Sequence, residues 1–293
     1  MKKIIAYKAF DMNMTCRGYK YEVGKTYHHE GPIEACESGF HACENPIDCL
    51  NYYDITDSRF AVVEMSGETD MCGNDSKIAS AQITIQAELN LPEYIKKCVD
   101  WLIESIPLSG SDSGYYAQLA ASGDYAKLAA SGYNAQLAAS GNYAKLAASG
   151  YNAQLAASGY YAQLAASGDY AQRAASGYNA KLAASGDYAK LAASRNYAKL
   201  AASGNYAQLA ASGNYAKLAA SGNYAKLAAS GDKSVIASSS INSIAKGAVG
   251  TWISLAEYVD GECVGFATGR IGYDGLKPDV FYRASGGNLV EAE

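Results

Sequence analysis

Between Gly114 and Ser230 the polar and apolar positions recur every nine residues without a gap. The phrase is Gly, Tyr/Asn/Asp, Tyr/Asn, Ala, Lys/Gln, Leu, Ala, Ala, Ser, in thirteen complete copies. A decayed copy, GDKSVIASS, follows from Gly231, with Ile236 at the Leu position. Two copies depart from the phrase: Arg173 takes a Leu position and Arg195 a Gly position.

Ala, Leu, Lys and Gln are strong helix formers, so a helix has to be argued away. At about 100° per residue, nine residues make roughly two and a half turns. Successive Leu would then face opposite sides of one long helix and leave no apolar stripe. Separate helices of one repeat each would be marginal. A strand works if the chain turns at every Ser-Gly. Alternate side chains share a face, so Ala126, Leu128 and Ala130 point inward while Tyr125, Lys127, Ala129 and Ser131 point outward. Gly and Asn/Asp are expected at the turn, where positive φ is tolerated. Two repeats would close one coil, giving a thin β-solenoid roughly 30 Å long at ~4.8 Å per coil.

The flanks read differently. IIAYKAF, KYEVGKTY, RFAVVEMSG and AQITIQAEL have strand character, and ENPIDCLNYY reads as a short helix capped by Asn45. LPEYIKKCVDWLIESI predicts a helix over about 92–105. Its apolar face is Ile95, Cys98, Val99, Leu102, Ile103 and Ile106, and it is expected to cap the solenoid. TWISLAEYVDGECVGFATG predicts two strands about an Asp-Gly turn, and LKPDVFYRASGGNLVEAE two more. The expected organisation is mainly β. An α+β domain occupies 1–108, the solenoid 109–239, and a small antiparallel module 240–293.

Charge sharpens these boundaries. The 293 residues carry a net −5, distributed as −8 over 1–113, +6 over 114–230 and −3 over 231–293. A basic rod thus joins two acidic ends, which argues against a nucleic-acid mimic. The chain has 25 Tyr against five Phe, and fifteen of the Tyr lie in the repeats. No stretch approaches the ~18 apolar residues of a membrane span. The opening MKKIIAYKAFDMN is interrupted by Lys8 and Asp11 and does not read as a secretory signal. The seven cysteines, 16, 36, 43, 49, 72, 98 and 263, read as free thiols in a reducing cytoplasm.

The densest polar cluster is CESGFHACENPIDC, where Cys36, His41, Cys43 and Cys49 are weak metal candidates at a spacing that matches no common zinc site. Cys16, beside Arg17, could be a nucleophile with His41 as base if the fold brings them together. The repeat turns lack the glycines and aspartates of calcium-binding nonapeptides. A charge at the inward position of Arg173 is costly unless paired. Arg195 is expected to strain a positive-φ turn. Both departures read either as local drift or as marks of a partner site.

The run YKAFDMNMTCRGYKYEVGKTY, then CESGFHACENPIDCLNYY, then SRFAVVE, resembles an uncharacterised N-terminal domain of bacteriophage and prophage proteins. Its members often continue into short Ala/Ser/Gly repeats and end on a segment similar to AKGAVGTWISLAEY. That resemblance implies a phage setting and no particular activity. The repeats are similar in texture to the β-roll heads of trimeric adhesins, which hints at homo-oligomers. GFHACENPIDCLNYY faintly resembles a segment of ADP-ribosyltransferase-like folds, which would give Arg17 and either Glu64 or Glu68 catalytic roles.

The leading expectation is a non-enzymatic cytoplasmic binding protein without cofactor or membrane partner. Its partner is a protein, such as a host defence or regulatory factor, ahead of nucleic acid. The expected contact residues are Tyr125, Tyr143, Tyr170, Tyr188, Tyr197, Tyr206, Tyr215 and Tyr224, with Lys127, Lys145, Lys190, Lys199, Arg173 and Arg195. The alternatives are a spacer or virion component, and an ADP-ribosyltransferase-like enzyme in the N-terminal domain.

Overall fold

The computed structural model describes residues 3–71, 76–105 and 114–292. Cys72 and Ile106 lie outside them, as do the side chains of Val99, Leu102 and Ile103. The chain forms two compact units, Met1–Trp101 and Leu102–Glu293.

The first unit is built on strands β1 (Ile4–Phe10), β2 (Thr15–Cys16), β3 (Tyr19–Lys20), β4 (Thr26–His28), β5 (Phe40–Cys43), β6 (Arg59–Met71) and β7 (Lys77–Leu89). β1 lies along β6 and touches β5 at Tyr7 and Cys43, while β5 and β6 both pair with β7, so four strands close a small antiparallel ring. β4 adds to β7. Alternation sends Ala6, Phe10, Val63, Met65, Ile83 and Ile85 inside. The expected strand over KYEVGKTY is broken at Gly24, whose φ of 84° separates β3 from β4.

A 3-10 helix, Pro46–Asn51, starts at Asn45, whose side chain accepts from the Ile47 N–H. Helix α1 (Leu91–Ser105) opens on a reciprocal cap. The Asn90 side chain accepts from the Glu93 N–H, and the Glu93 carboxylate from the Asn90 N–H, both at 3.0 Å. The buried face of α1 is used inside its own unit. Tyr94 stacks on Phe60 at 3.7 Å and donates to the Pro46 carbonyl at 2.6 Å, and Ile95 and Cys98 are buried.

The second unit is a β-solenoid. Fifteen four-residue strands, β8 (Gln118–Ala121) to β22 (Ile244–Gly247), fall into two parallel sheets, even-numbered strands in one and odd-numbered in the other. Each strand from β8 to β20 pairs in register with the one eighteen residues on, as Leu137 with Leu155 and Leu146 with Leu164. The inward Ala, Leu and Ala form one continuous core.

The coil does not end at residue 239 as expected. β22 pairs in parallel with β20 (Lys226–Ala229), and β23 (Trp252–Val259) pairs in parallel with β21 (Val235–Ser238). The C-terminal residues then extend the same two sheets. β24 (Glu262–Arg270) folds back on β23 through Asp260-Gly261, while β25 (Tyr282–Ser285) joins β22 and pairs with β26 (Asn288–Glu291). Ile271 and Tyr282 are buried against the end of the solenoid core.

The turns correct a sequence expectation. Positive φ falls on the third position in ten of the thirteen repeats, usually Tyr (Tyr143 at 57°, Tyr206 at 56°), and not on the repeat Gly. The Gly answers a different constraint. A Cβ on Gly141 would stand 2.1 Å from the Gly123 carbonyl oxygen, and one on Gly204 would stand 2.0 Å from that of Gly186. Gly123, in the first rung of its sheet, has nothing within 4 Å. The glycine is therefore required by the coil beneath it.

Arg195 consequently strains no positive-φ turn; it occupies the close-approach position instead. The neighbouring Asn179 N–H to Asn196 carbonyl bond lengthens to 3.1 Å, against 2.8 Å at Tyr143, Tyr161 and Tyr188. Arg173 lies inside β14 (Gln172–Ala175), in register between Leu155 and Leu191, with 2% of its surface exposed. None of its three side-chain nitrogens has a hydrogen-bond partner among the described residues. Burial alone pulls its guanidinium below the usual arginine range. It neither snorkels out nor reaches a partner surface.

Two expectations follow for thermal melts of the solenoid. Gly204→Ala should destabilise it by about 1–3 kcal/mol through overpacking, whereas Gly123→Ala should stay within about 0.5 kcal/mol. Equal losses would assign the glycines a local conformational role. Arg173→Leu should raise stability by roughly 2–4 kcal/mol, because it removes an unpaired buried charge and completes the Leu stack. A lower melting temperature would show that the guanidinium has a partner.

Candidate functional site

The outward residues of the solenoid lie on two sheet faces and two turn edges, and the edges are where the tyrosines stand. At one edge Tyr115, Tyr133, Tyr151, Tyr170, Tyr188, Tyr206 and Tyr224 form an unbroken ladder with ring centroids 4.9–5.1 Å apart. The ladder survives a change in the repeat: Tyr stands second in its unit at 115, 133 and 151 but third from 170 onward. At the other edge Tyr125, Tyr143 and Tyr161 stack, and so do Tyr197 and Tyr215. Between these runs Tyr160 meets Tyr178 edge-on at 5.5 Å, and the Arg195 guanidinium sits 5.7 Å from the Tyr178 ring. Arg195 thus bridges the interrupted stretch as a cation over a ring.

Beside each ladder runs a second one made by Asn and Asp. The Asp187 carboxylate accepts from the Asn205 N–H of the next coil at 2.7 Å, and the Asn205 side chain from the Asn223 N–H at 2.9 Å. These bonds occupy turn amides that the sheets leave over.

The two sheet faces are not equivalent. On the odd-numbered sheet the outward Lys/Gln and Ala positions are exposed, as in the alternating pattern of β11 (Lys145–Ala148). On the even-numbered sheet Ala138, Ala156, Ala192 and Ala210 at the same position are buried. Composition follows the difference. The exposed face carries Lys127, Lys145, Lys181, Lys199 and Lys217 in one row, with Gln163 among them. The other face carries mostly Gln, with the half-buried Lys190 and Lys226. Among the described residues none of the five lysines pairs with a carboxylate.

Along that row Val235 follows Lys217, and Trp252 follows Val235 in register. Trp252 is 49% exposed. Phe266 is 56% exposed and borders the same surface as Ala219 and Ala237. Of the residues expected to share one contact face, Lys127, Lys145 and Lys199 do so. Lys190 is on the opposite sheet, the tyrosines are divided between two edges, and Arg173 is in the core. Sequence reasoning passed over Trp252 and Phe266. Lys181 and Lys217 were in reach, because they stand a whole number of two-repeat periods from Lys127, Lys145 and Lys199.

The N-terminal unit gathers a different set. Cys16, Arg17 and His41, which are separate in sequence, line one cavity of about 650 Å³. The Cys16 Sγ accepts from the Tyr53 hydroxyl at 2.9 Å and from the Lys8 Nζ at 3.5 Å. His41 Nε2 accepts from the Cys36 N–H at 3.0 Å. Burial, then the nearby Lys8, Arg17 and Lys77 charges, lower the His41 pKa below the usual histidine value. Burial, with the bond to Cys16, pushes the Tyr53 phenol up.

No three of the described His, Cys, Asp or Glu residues converge in a metal-binding group, Cys36, His41, Cys43 and Cys49 included. Glu64 pairs with Lys3 at 2.8 Å, and neither it nor Glu68 lines the cavity beside Arg17. No helix among the described residues is long and apolar enough to cross a membrane.

No curated protein and no solved structure matches the chain. Residues 4–97, about the extent of the first unit, match the model of an uncharacterised family described as a domain of unknown function (DUF7666).

Proposed function

We propose that the protein is a non-enzymatic binding protein whose exposed solenoid sheet engages an acidic surface of a partner protein. The observation behind this is the composition of that face. Five lysines that pair with no carboxylate among the described residues span about 24 Å at ~4.8 Å per coil, over a flat floor of Ala and Ser; the row runs on in register to Trp252, and Phe266 borders the same surface. Aligned cations steer an acidic partner and set its orientation. An exposed Trp at the end of the row supplies the kind of aromatic anchor on which protein interfaces concentrate their energy.

Nucleic acid is less well served. Single strands are held by bases stacked on open aromatic faces, and here most repeat tyrosines already stack on one another. In the phage setting that the N-terminal run resembles, the partner would be a host protein such as a defence or regulatory factor. A spacer would have no use for the enrichment of Lys on the exposed sheet, at five of six outward positions against two of seven on the other.

The test is retention of host proteins and nucleic acid on immobilised full-length chain. A variant carrying Lys→Gln at 127, 145, 181, 199 and 217 is expected to fold normally and bind its protein partner at least about tenfold more weakly, roughly 1.4 kcal/mol. Wild-type binding should weaken as salt rises toward about 1 M, where charges are screened within ~3 Å. A partner retained equally by both chains would move the binding surface elsewhere, and retention that disappears on nuclease treatment would identify nucleic acid instead.

A further inference from the structure

The cavity of the N-terminal unit concentrates reactive and charged side chains to a degree the fold does not require. All three histidines of the chain, His28, His29 and His41, lie on its wall. So do three cations, Lys8, Arg17 and Lys77, against one carboxylate among the described residues, Glu30. Its volume falls within the range of small-molecule sites.

Lys8 is the most informative of these residues. It is 6% exposed, yet no carboxylate lies within ion-pair distance of it among the described residues. The Nζ donates to the His41 carbonyl at 2.9 Å and to Cys16 Sγ at 3.5 Å, and stands 5.5 and 5.6 Å from the Phe10 and Tyr21 ring centroids. An ammonium carries three donors, so one remains. Rings and a carbonyl soften the desolvation of a buried cation, but they do not neutralise it.

Arg17 stands at the cavity edge at the tip of the β2–β3 hairpin. Arg17 and Gly18 have φ of 50° and 77°, the two-residue turn in which a non-glycine first residue is held left-handed. Cys36, also on the wall, has φ of 74°. Strained residues of this kind gather where a ligand is met. Lys77, on the same wall, donates to the Tyr52 hydroxyl at 3.1 Å and lies over its ring at 4.4 Å.

We infer that this cavity binds a nucleoside monophosphate, with the phosphate among Lys8, Arg17 and Lys77 and the base against the exposed tyrosine surface. The three cations exceed Glu30 by two charges, which matches the roughly −2 of a phosphate monoester. Tyr19 is about half exposed and offers ring surface on which a planar base can stack, while the half-exposed Tyr52 carries Lys77 on one ring face and offers only the other. The site is independent of the solenoid and of whatever partner the solenoid engages.

Isothermal titration of the full-length protein with AMP, GMP, CMP and UMP tests this, with adenosine and inorganic phosphate as half-ligands. At least one monophosphate should saturate below about 1 mM and bind at least about tenfold more tightly than either half-ligand. Lys8→Met and Arg17→Asn should each weaken that binding at least about tenfold. Asn tolerates the left-handed turn, so Arg17→Asn should melt like the wild type and remains decisive if Lys8→Met folds poorly. The proposal is overturned by silence toward all four monophosphates, by inorganic phosphate binding as tightly as AMP, or by affinity unchanged in Arg17→Asn.

Discussion

Everything in the solenoid depends on how closely one coil approaches the next at its turns. From Gly132 onward the backbone of each repeat Gly passes so near the carbonyl of the residue eighteen positions before it that a Cβ there would stand within 2.3 Å of that carbonyl. That approach fixes the eighteen-residue coil. It holds each residue above the one eighteen positions earlier. Leu then rests on Leu inside, Tyr on Tyr at the edges, and Asn or Asp reaches the turn amide of the next coil. The left-handed Tyr backbone is a cost of this geometry, of order 1–2 kcal/mol per residue. Part of it is offset where that residue's own N–H bonds to the adjacent coil, as Tyr206 does to the Asn223 carbonyl at 2.7 Å, and part by the ring stack.

The same stacking decides which surface is free to act. A tyrosine between two others has no ring face left to offer, so the most conspicuous residue of the repeat is largely structural. What remains available is the sheet face, and there the two sheets have diverged in composition. The repeat can carry that divergence at no cost to its core, because the fifth position points outward in both sheets. Exposure and lysine coincide on one side, while burial and glutamine dominate on the other.

Much of this was legible in the sequence. A nine-residue phrase in which Leu cannot share one helical face, with Gly at each boundary, leaves a strand-turn coil as the consistent reading, and the inward triplet of Ala126, Leu128 and Ala130 follows from alternation. The role of the glycine was not legible, because local propensity suggests positive φ and close approach is a property of stacked coils. The end of the solenoid was missed for a related reason. The segment 240–247 has lost the phrase but keeps Ala245 in the core, and backbone pairing requires no side-chain identity. In the N-terminal unit the chemistry-bearing residues were visible one by one. Their convergence depends on the hairpin at Arg17-Gly18 and on the closure of β1, β5, β7 and β6, a long-range pairing that no local pattern encodes.

The two arginines that break the repeat separate what the fold tolerates from what it does not. Arg195 replaces the residue the coil most needs, yet it stands at an edge where its side chain reaches solvent and the Tyr178 ring, and a small lengthening of one backbone bond accommodates it. Arg173 replaces a side chain with one of similar reach and disturbs no backbone pairing, yet its charge is enclosed between two Leu side chains. A backbone crowded at a single turn can relax outward by a few tenths of an ångström. A guanidinium inside a core lined by Ala and Leu has no such freedom. The solenoid is thus more permissive at the position its sequence repeats most strictly than at the one it fills with ordinary hydrophobic packing.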